Sequence, residues 1–288
     1  MASRAGRAEG PPLPADLDVQ LRRALSEDRV ARDRTSRAVI PARCRGVARF
    51  VAQSNGTLSG SRVAMRLARL TGLLVSRRLH DGSPVRPGLV VLELRGNLRA
   101  ILGVERTILN YLMHLSGVAT ATRAAVRAAG GKVDVLATRK TLPGLRDLEK
   151  AAVVHGGGRP HRRDLSDAML LKRPHLKAVG LGPAVRRAIR GAGDRIPVEV
   201  EVRTLAEARE ALDAGARRLL LDNVGPLGAG RIVSGLVRAG RRRGVVIEAS
   251  GGITPANVGA YRRSGVDAVS LGSLTHSAPA LPFHLLLD

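Results

Sequence analysis

From Lys132 onward the chain keeps a regular beat of short apolar runs separated by amphipathic stretches, and that beat restricts its second half to a small set of folds. The runs Val133 to Ala137, Ala168 to Leu171, Pro197 to Val202, Arg218 to Leu221, Val245 to Ala249 and Ala268 to Leu271 have the length and apolar content of buried strands. Helical stretches lie between them. Thr204 and Glu207 form a capping box ahead of Leu205, Ala208 and Leu212, with Gly215 at the far end. Thr254-Pro255 predicts the start of another helix and Gly265 its end. Six strands alternating with helices require a parallel sheet, either open or closed into a barrel.

The first half has a different texture. Residues 1–15 are small, polar and proline-rich, and are expected to form a disordered arm with no targeting signal. Asp16 is placed to cap a helix whose Leu17, Leu21 and Leu25 share one face. Val47 to Val51 and Leu89 to Leu94 read as strands around a helix near Ser61 to Leu70, so a mixed first domain is expected over 16–115. A long helical pattern runs from about Ile101 to Ala129 and stops at Gly130-Gly131.

Composition narrows the function classes. A net charge of +24 invites a nucleic-acid reading, but the chain has no Trp and only Phe50, Tyr111, Tyr261 and Phe283 as aromatics, too few for base stacking. The cations are spread along the whole length, so one anion-attracting cleft within a solvated arginine surface is expected, with no nucleic-acid partner. The single cysteine, Cys44, excludes an intrachain disulfide and suits the cytoplasm, and no apolar run reaches membrane-span length.

Each strand of the second half runs into residues capable of chemistry. The six deliver Thr138-Arg139-Lys140, Lys172, Glu201, Asp222-Asn223, Ser250-Gly251-Gly252 and Gly272-Ser273 in turn. In a parallel barrel such ends converge on the mouth where active sites form. Arg139, Lys140, His161, Arg162 and Lys172 make a cationic half suited to carboxylate or phosphate oxygens. Glu201 and Asp222 offer oxygen ligands for Mg²⁺ bound with a diphosphate, and the glycine turns after the last two strands suit a phosphate. No nucleophile stands with a base. Together these parts describe transfer involving a phosphorylated sugar, with His161 read as a substrate-binding group ahead of an acid or base.

The choice of cation sharpens this. The chain has 43 arginines and five lysines, and all five lysines fall between Lys132 and Lys177. A lysine against such a background suggests a need for a compact, mobile ammonium, which singles out Lys140 and Lys172. Lys132, Lys150 and Lys177 are expected to be ordinary surface or supporting cations.

The segments ERTILNYLMHLSGVATATR (105–123), TRKTLPGLRDLEK (138–150), GGGRPHR (156–162), VEVEV (198–202), LLLDN (219–223), IEASGGIT (247–254) and VSLGSLTHS (269–277) resemble the quinolinate phosphoribosyltransferase family, the carboxylating nicotinate-nucleotide pyrophosphorylases. The resemblance runs from about Asp16 to the C-terminus. It implies an N-terminal α/β sandwich domain (16–115) completed by the C-terminus (276–288), and an incomplete six-stranded parallel α/β barrel (116–275). It also implies a homodimer with shared active sites, in which Arg106 reaches into the neighbouring subunit. Thr138, Arg139, His161, Arg162 and Lys172 would bind quinolinate, with Lys140 beside the reacting centre. Glu201 and Asp222 would hold Mg²⁺ and ribose hydroxyls, and Ser250, Gly251, Gly252, Ser270 and Gly272 the phosphate of phosphoribosyl pyrophosphate. The implied products are nicotinate mononucleotide, pyrophosphate and CO2, on the route to NAD.

Three positions depart from the family pattern: Ala137 stands where DTRKT has its acid, Arg173-Pro174 replace the Asp-Asn of KDNH, and Arg32 replaces a glycine. They leave open a paralogue acting on another pyridine carboxylate, such as the relatives associated with molybdenum transport, or a non-catalytic binding barrel.

Overall fold

The computed structural model describes residues 11–193 and 195–288, so most of the expected N-terminal arm lies outside the described residues. The chain divides into two compact units that interleave along the sequence: Met1–Arg123, Leu142–Gly157 and Ala278–Asp288 form one, and Ala124–Thr141 and Gly158–Ser277 the other.

The first unit is built on an antiparallel sheet. Its elements are α1 (Leu17–Glu27), α2 (Arg34–Val39), β1 (Arg45–Ala52), β2 (Gly56–Thr57), α3 (Ser61–Leu70), β3 (Leu74–Arg78), β4 (Pro84–Val85), β5 (Val90–Asn97) and α4 (Leu98–Ala129), whose last residues belong to the second unit. The chain's final strand, Phe283–Leu287, adds beside β1 with Ala52 opposite Phe283 and Ala48 opposite Leu287, and the sheet continues through β5 to β3. In α4, Ile101, Val104, Ile108, Leu112 and Leu115 recur every three or four residues and are buried, while Arg106 is exposed.

Three expectations for this half change. Asp16 precedes α1, but its backbone is not in the extended cap conformation, and its carboxylate accepts from the Gln20 side chain at 3.0 Å instead of a backbone N–H. The side-chain cap falls to Asp33 on α2, which accepts from the Ser36 N–H at 3.0 Å. Lys150 is buried, not a surface cation, because it lies on α5 (Arg146–His155), which packs into the first unit. Contacts of α5 hold it there: His155 Nδ1 lies 2.8 Å from Ser59 Oγ, and Glu149 Oε1 lies 2.8 Å from His114 Nε2. The first unit therefore takes in a segment that sequence order assigns to the barrel.

The second unit carries β6 (Asp134–Leu136), β7 (Met169–Leu171), α6 (Arg173–Val179), α7 (Leu181–Ala192), β8 (Val198–Val202), α8 (Leu205–Asp213), β9 (Arg218–Asp222), α9 (Pro226–Arg238), β10 (Val246–Ser250), β11 (Ala268–Ser270) and α10 (Ser273–His276); β12 is the final strand of the first unit. All six strands pair in parallel in the order β6, β11, β10, β9, β8, β7. The consecutive strands β6 and β7 occupy the two edges, so the barrel is incomplete between them. Register aligns the strand ends: Asp222 lies opposite Ser250, and Ser250 opposite Ser270.

Two local expectations shift here. Thr204 accepts from the Glu207 N–H at 3.1 Å as a cap should, but the Glu207 carboxylate takes the N–H of Arg203 at 2.7 Å. After Thr254-Pro255 a turn leads into a 3-10 helix, Val258–Arg263, in place of an α-helix. Asn257 explains the difference: its side chain accepts from the Thr254 N–H at 2.8 Å and donates to the Gly252 carbonyl at 2.9 Å, competing with helical bonding. No helix among the described residues is long and apolar enough to cross a membrane.

Candidate active site

The strand ends of the second unit enclose a cavity of about 360 Å³ lined by Thr138, Arg139, Lys140, His161, Arg162, Lys172, Glu201, Asp222, Ser250, Gly251, Gly252 and Ser270. Among the sequence candidates, Gly272 and Arg106 stand apart from that lining. Arg106 belongs to the first unit, exposed and without a polar contact among the described residues.

Lys140 is held by its backbone. Its N–H donates to Thr138 Oγ1 at 3.0 Å, and its carbonyl accepts from Thr275 Oγ1 at 2.7 Å, which leaves the ammonium free to move over the cavity. Gly272 makes room for the stem: a Cβ there would lie 2.8 Å from Lys140 Cδ and 3.0 Å from His276 Nε2. Arg139 carries a buried Nε without a hydrogen-bond partner. Burial and the neighbouring Arg139 both lower the pKa of Arg162, whose Nη1 donates to the Ala168 carbonyl at 2.9 Å. Two adjacent guanidiniums with an unsatisfied buried donor call for an anion. Lys172 is exposed at the start of α6, its N–H donating to His175 Nδ1 at 3.0 Å.

The acidic side is partly occupied by the protein's own donors. Glu201 accepts the Arg173 N–H at 2.9 Å through one oxygen. Asp222 binds Arg203 Nη2 at 2.5 Å through Oδ2 and Asn223 Nδ2 at 2.9 Å through Oδ1. Two carboxylates on one cavity wall fit Mg²⁺ bound jointly with a diphosphate, once Arg203 turns from Asp222. The same wall carries the phosphate candidates. Gly251 and Gly252 both have left-handed backbones, and a side chain at Gly251 would overlap Asn223 Oδ1. Among the described residues their N–H groups make no hydrogen bond, leaving two donors for a phosphate beside the Ser250 and Ser270 hydroxyls, which lie 2.8 Å apart.

His161 stands against two buried acids. Its Nε2 lies 3.1 Å from Glu248 Oε2 and 3.5 Å from Glu199 Oε2, and its Nδ1 accepts the Arg162 N–H at 2.6 Å. Burial acts to lower its pKa, but the hydrogen bonds to Glu199 and Glu248 prevail and raise it to about 9, against the pull of the Arg162 N–H for the Nδ1 lone pair. With both ring nitrogens engaged, this geometry offers substrate the ring's edge, not an acid or base. Glu248, Glu199 and Arg203 were not singled out in sequence; for the two acids the available signal was their position two residues before Ser250 and Glu201, on the same strand face.

The departures have unequal reach. Ala137 is fully buried and lines the cavity. Arg173 turns its guanidinium away to Glu207 Oε1 at 2.7 Å, which raises its pKa, and with Pro174 lines a separate depression on the α6 side.

An incomplete parallel barrel with a cationic, carboxylate-bearing cavity and open glycine N–H donors defines an enzyme class that handles several anionic groups at once. Residues 33–116 match the model for the N-terminal domain of quinolinate phosphoribosyl transferase and residues 118–286 that for its C-terminal domain, and this chain belongs to that family. It is 42% identical over 239 residues to a probable nicotinate-nucleotide pyrophosphorylase [carboxylating] of Archaeoglobus fulgidus, covering 82% of this chain and 92% of the relative. It is 38% identical to the nicotinate-nucleotide pyrophosphorylase [carboxylating] of Mycobacterium leprae, covering 92% and 95%. The fold is similar to NadC from Streptococcus pyogenes with a TM-score of 0.90 and 36% identity, over 96% of this chain and 98% of that one.

Proposed function

We propose that the barrel cavity transfers the phosphoribosyl group of phosphoribosyl pyrophosphate to quinolinate with loss of CO2, giving nicotinate mononucleotide and pyrophosphate. The observation that carries this reading is the pairing of Arg139 and Arg162, one with an unsatisfied buried Nε, in the cavity that Glu201 and Asp222 also line. The arginines and Lys172 take the two acceptor carboxylates. The pyridine nitrogen owns a lone pair, so its attack on the ribose C1 needs alignment, not a base. Lys140 supplies mobile positive charge near the reacting atoms. The N–H groups of Gly251 and Gly252 bind the 5-phosphate, and Glu201 and Asp222 are the residues that would hold Mg²⁺. When bound, the ion stabilises charge on the departing pyrophosphate. Once the pyridinium forms, its positive nitrogen stabilises the electron pair left at C2 as the carboxylate departs as CO2, and a proton from solvent then takes that pair to give the C–H of nicotinate mononucleotide.

Arg106, exposed on α4, is the residue we assign to the site of a second copy, making the active form a homodimer. Its single cysteine suits a cytoplasmic setting. The test offers quinolinate and nicotinate separately, with Mg²⁺ and phosphoribosyl pyrophosphate. Turnover of quinolinate alone is expected. Turnover of nicotinate or another pyridine carboxylate in its place would move the chain to a paralogous activity, for which the cavity position of Ala137 would be the cause.

A further inference from the structure

β8 and β10 each carry a second acid that the transfer chemistry does not use; Glu248 is part of the cavity lining and Glu199 is not. Glu199 precedes Glu201 by two residues and Glu248 precedes Ser250 by two, so each lies on the same strand face one step further in. They are 4% and 1% exposed. In each, Oε1 is buried without a hydrogen-bond partner, while Oε2 faces His161 Nε2. His161 is one of three non-glycine residues with a left-handed backbone among those described, at φ 52. That conformation is unfavourable for a residue with a Cβ and persists only where its surroundings hold it. Two buried carboxylates are costly unless hydrogen-bonded, and the imidazole between them turns Nε2 toward an oxygen of each.

We propose that Glu248 and Glu199 are positioning residues for the acceptor: they hold His161 by Nε2, and His161, through Nδ1, fixes the backbone of Arg162 so that its guanidinium stands beside Arg139 in the cavity. The identity of the acceptor in this proposal rests on the phosphoribosyl-transfer reading, whereas the chain of contacts does not. Specificity for a dianion then depends on the groups that hold Arg162 as well as on its guanidinium. The charged groups around the Arg162 end of this chain are Arg139, Glu199, Asp167 and Glu201. The same three side chains bring ligand atoms within 4.8 Å of one another, a spacing a divalent metal could use, but Arg139 and Arg162 at its border oppose a dication.

The test compares wild type with Glu248→Gln, Glu199→Gln and Glu248→Asp in steady-state kinetics, in calorimetric titration with quinolinate, and in thermal melting. For Glu248→Gln and Glu199→Gln the quinolinate KM and Kd rise about tenfold, while the KM for phosphoribosyl pyrophosphate stays within about twofold. Glu248→Asp, which keeps the charge, recovers part of that loss; if a Gln variant fails to fold, Glu248→Asp against wild type carries the same comparison with a smaller shift. Equal weakening toward both substrates, a fall in kcat alone, or unchanged kinetics would overturn the proposal. One equivalent of metal purified with wild type and lost in Glu248→Gln would overturn it in favour of a metal site. If wild type binds quinolinate without turning it over, the transfer reading fails, yet a weaker calorimetric Kd in the Gln variants still upholds the positioning role.

Discussion

The two strand ends that carry the site's lysines have both lost polar neighbours, and the structure treats the losses differently. At β6, Ala137 lies fully buried against the cavity that holds Lys140 and Arg139. At β7, Arg173 follows Lys172 but sends its charge to Glu207, and only its backbone N–H reaches Glu201. A departure from a family pattern matters according to where its side chain ends, not how close it is in sequence to a functional residue. Ala137 therefore borders the cavity directly, whereas the Arg173 charge is paired with Glu207.

The largest expected effect lies at β6. Lys140→Ala lowers kcat by about a thousandfold, the scale of losing an electrostatic contact to the reacting centre, and Glu201→Ala in the same cavity does the same, both read by pyrophosphate release. A Lys140→Ala variant with near-normal turnover would remove β6 from the chemistry. Next is Gly251→Ala, where a left-handed backbone and overlap with Asn223 force movement of the turn. Strain there of about 1–3 kcal/mol should lower the melting temperature and weaken phosphoribosyl pyrophosphate binding more than quinolinate binding.

A smaller effect separates the two departures directly. Ala137→Asp brings a carboxylate close to the unsatisfied Arg139 side chain and should shift the quinolinate KM by about threefold or more, whereas Arg173→Ala should leave it within about twofold. The reverse ranking would break the comparison. The smallest effect is a slope with pH: the raised His161 pKa contributes stability that is complete below about 6.5 and is lost as pH rises through about 9. Melting temperature against pH should show that loss in wild type and a flatter profile in His161→Gln.

Much of this was legible in the sequence for a physical reason. Parallel strands buried on both faces read as short apolar runs, so the six barrel strands fall where the residues placed them, and residues just past a strand end reach the mouth by geometry alone. Glu199 and Glu248 were hidden by the same rule. An acid within an apolar strand gives no local sign of whether it faces solvent or a buried imidazole, since that depends on His161 arriving from a distant loop. The cap at Asp16 and the helix after Pro255 failed because a neighbouring side chain, Gln20 or Asn257, offered a competing hydrogen bond. Placement of α5 with the first unit depended on Ser59 and His114, both far away in sequence.

Quinolinate labelled in its C2 carboxylate, with CO2 and pyrophosphate counted in the same reaction, shows whether one cavity joins phosphoribosyl transfer to decarboxylation. Labelled CO2 and pyrophosphate are expected in equal amounts, together with nicotinate mononucleotide. Pyrophosphate released without labelled CO2, or neither product from folded protein with Mg²⁺ present, would contradict it.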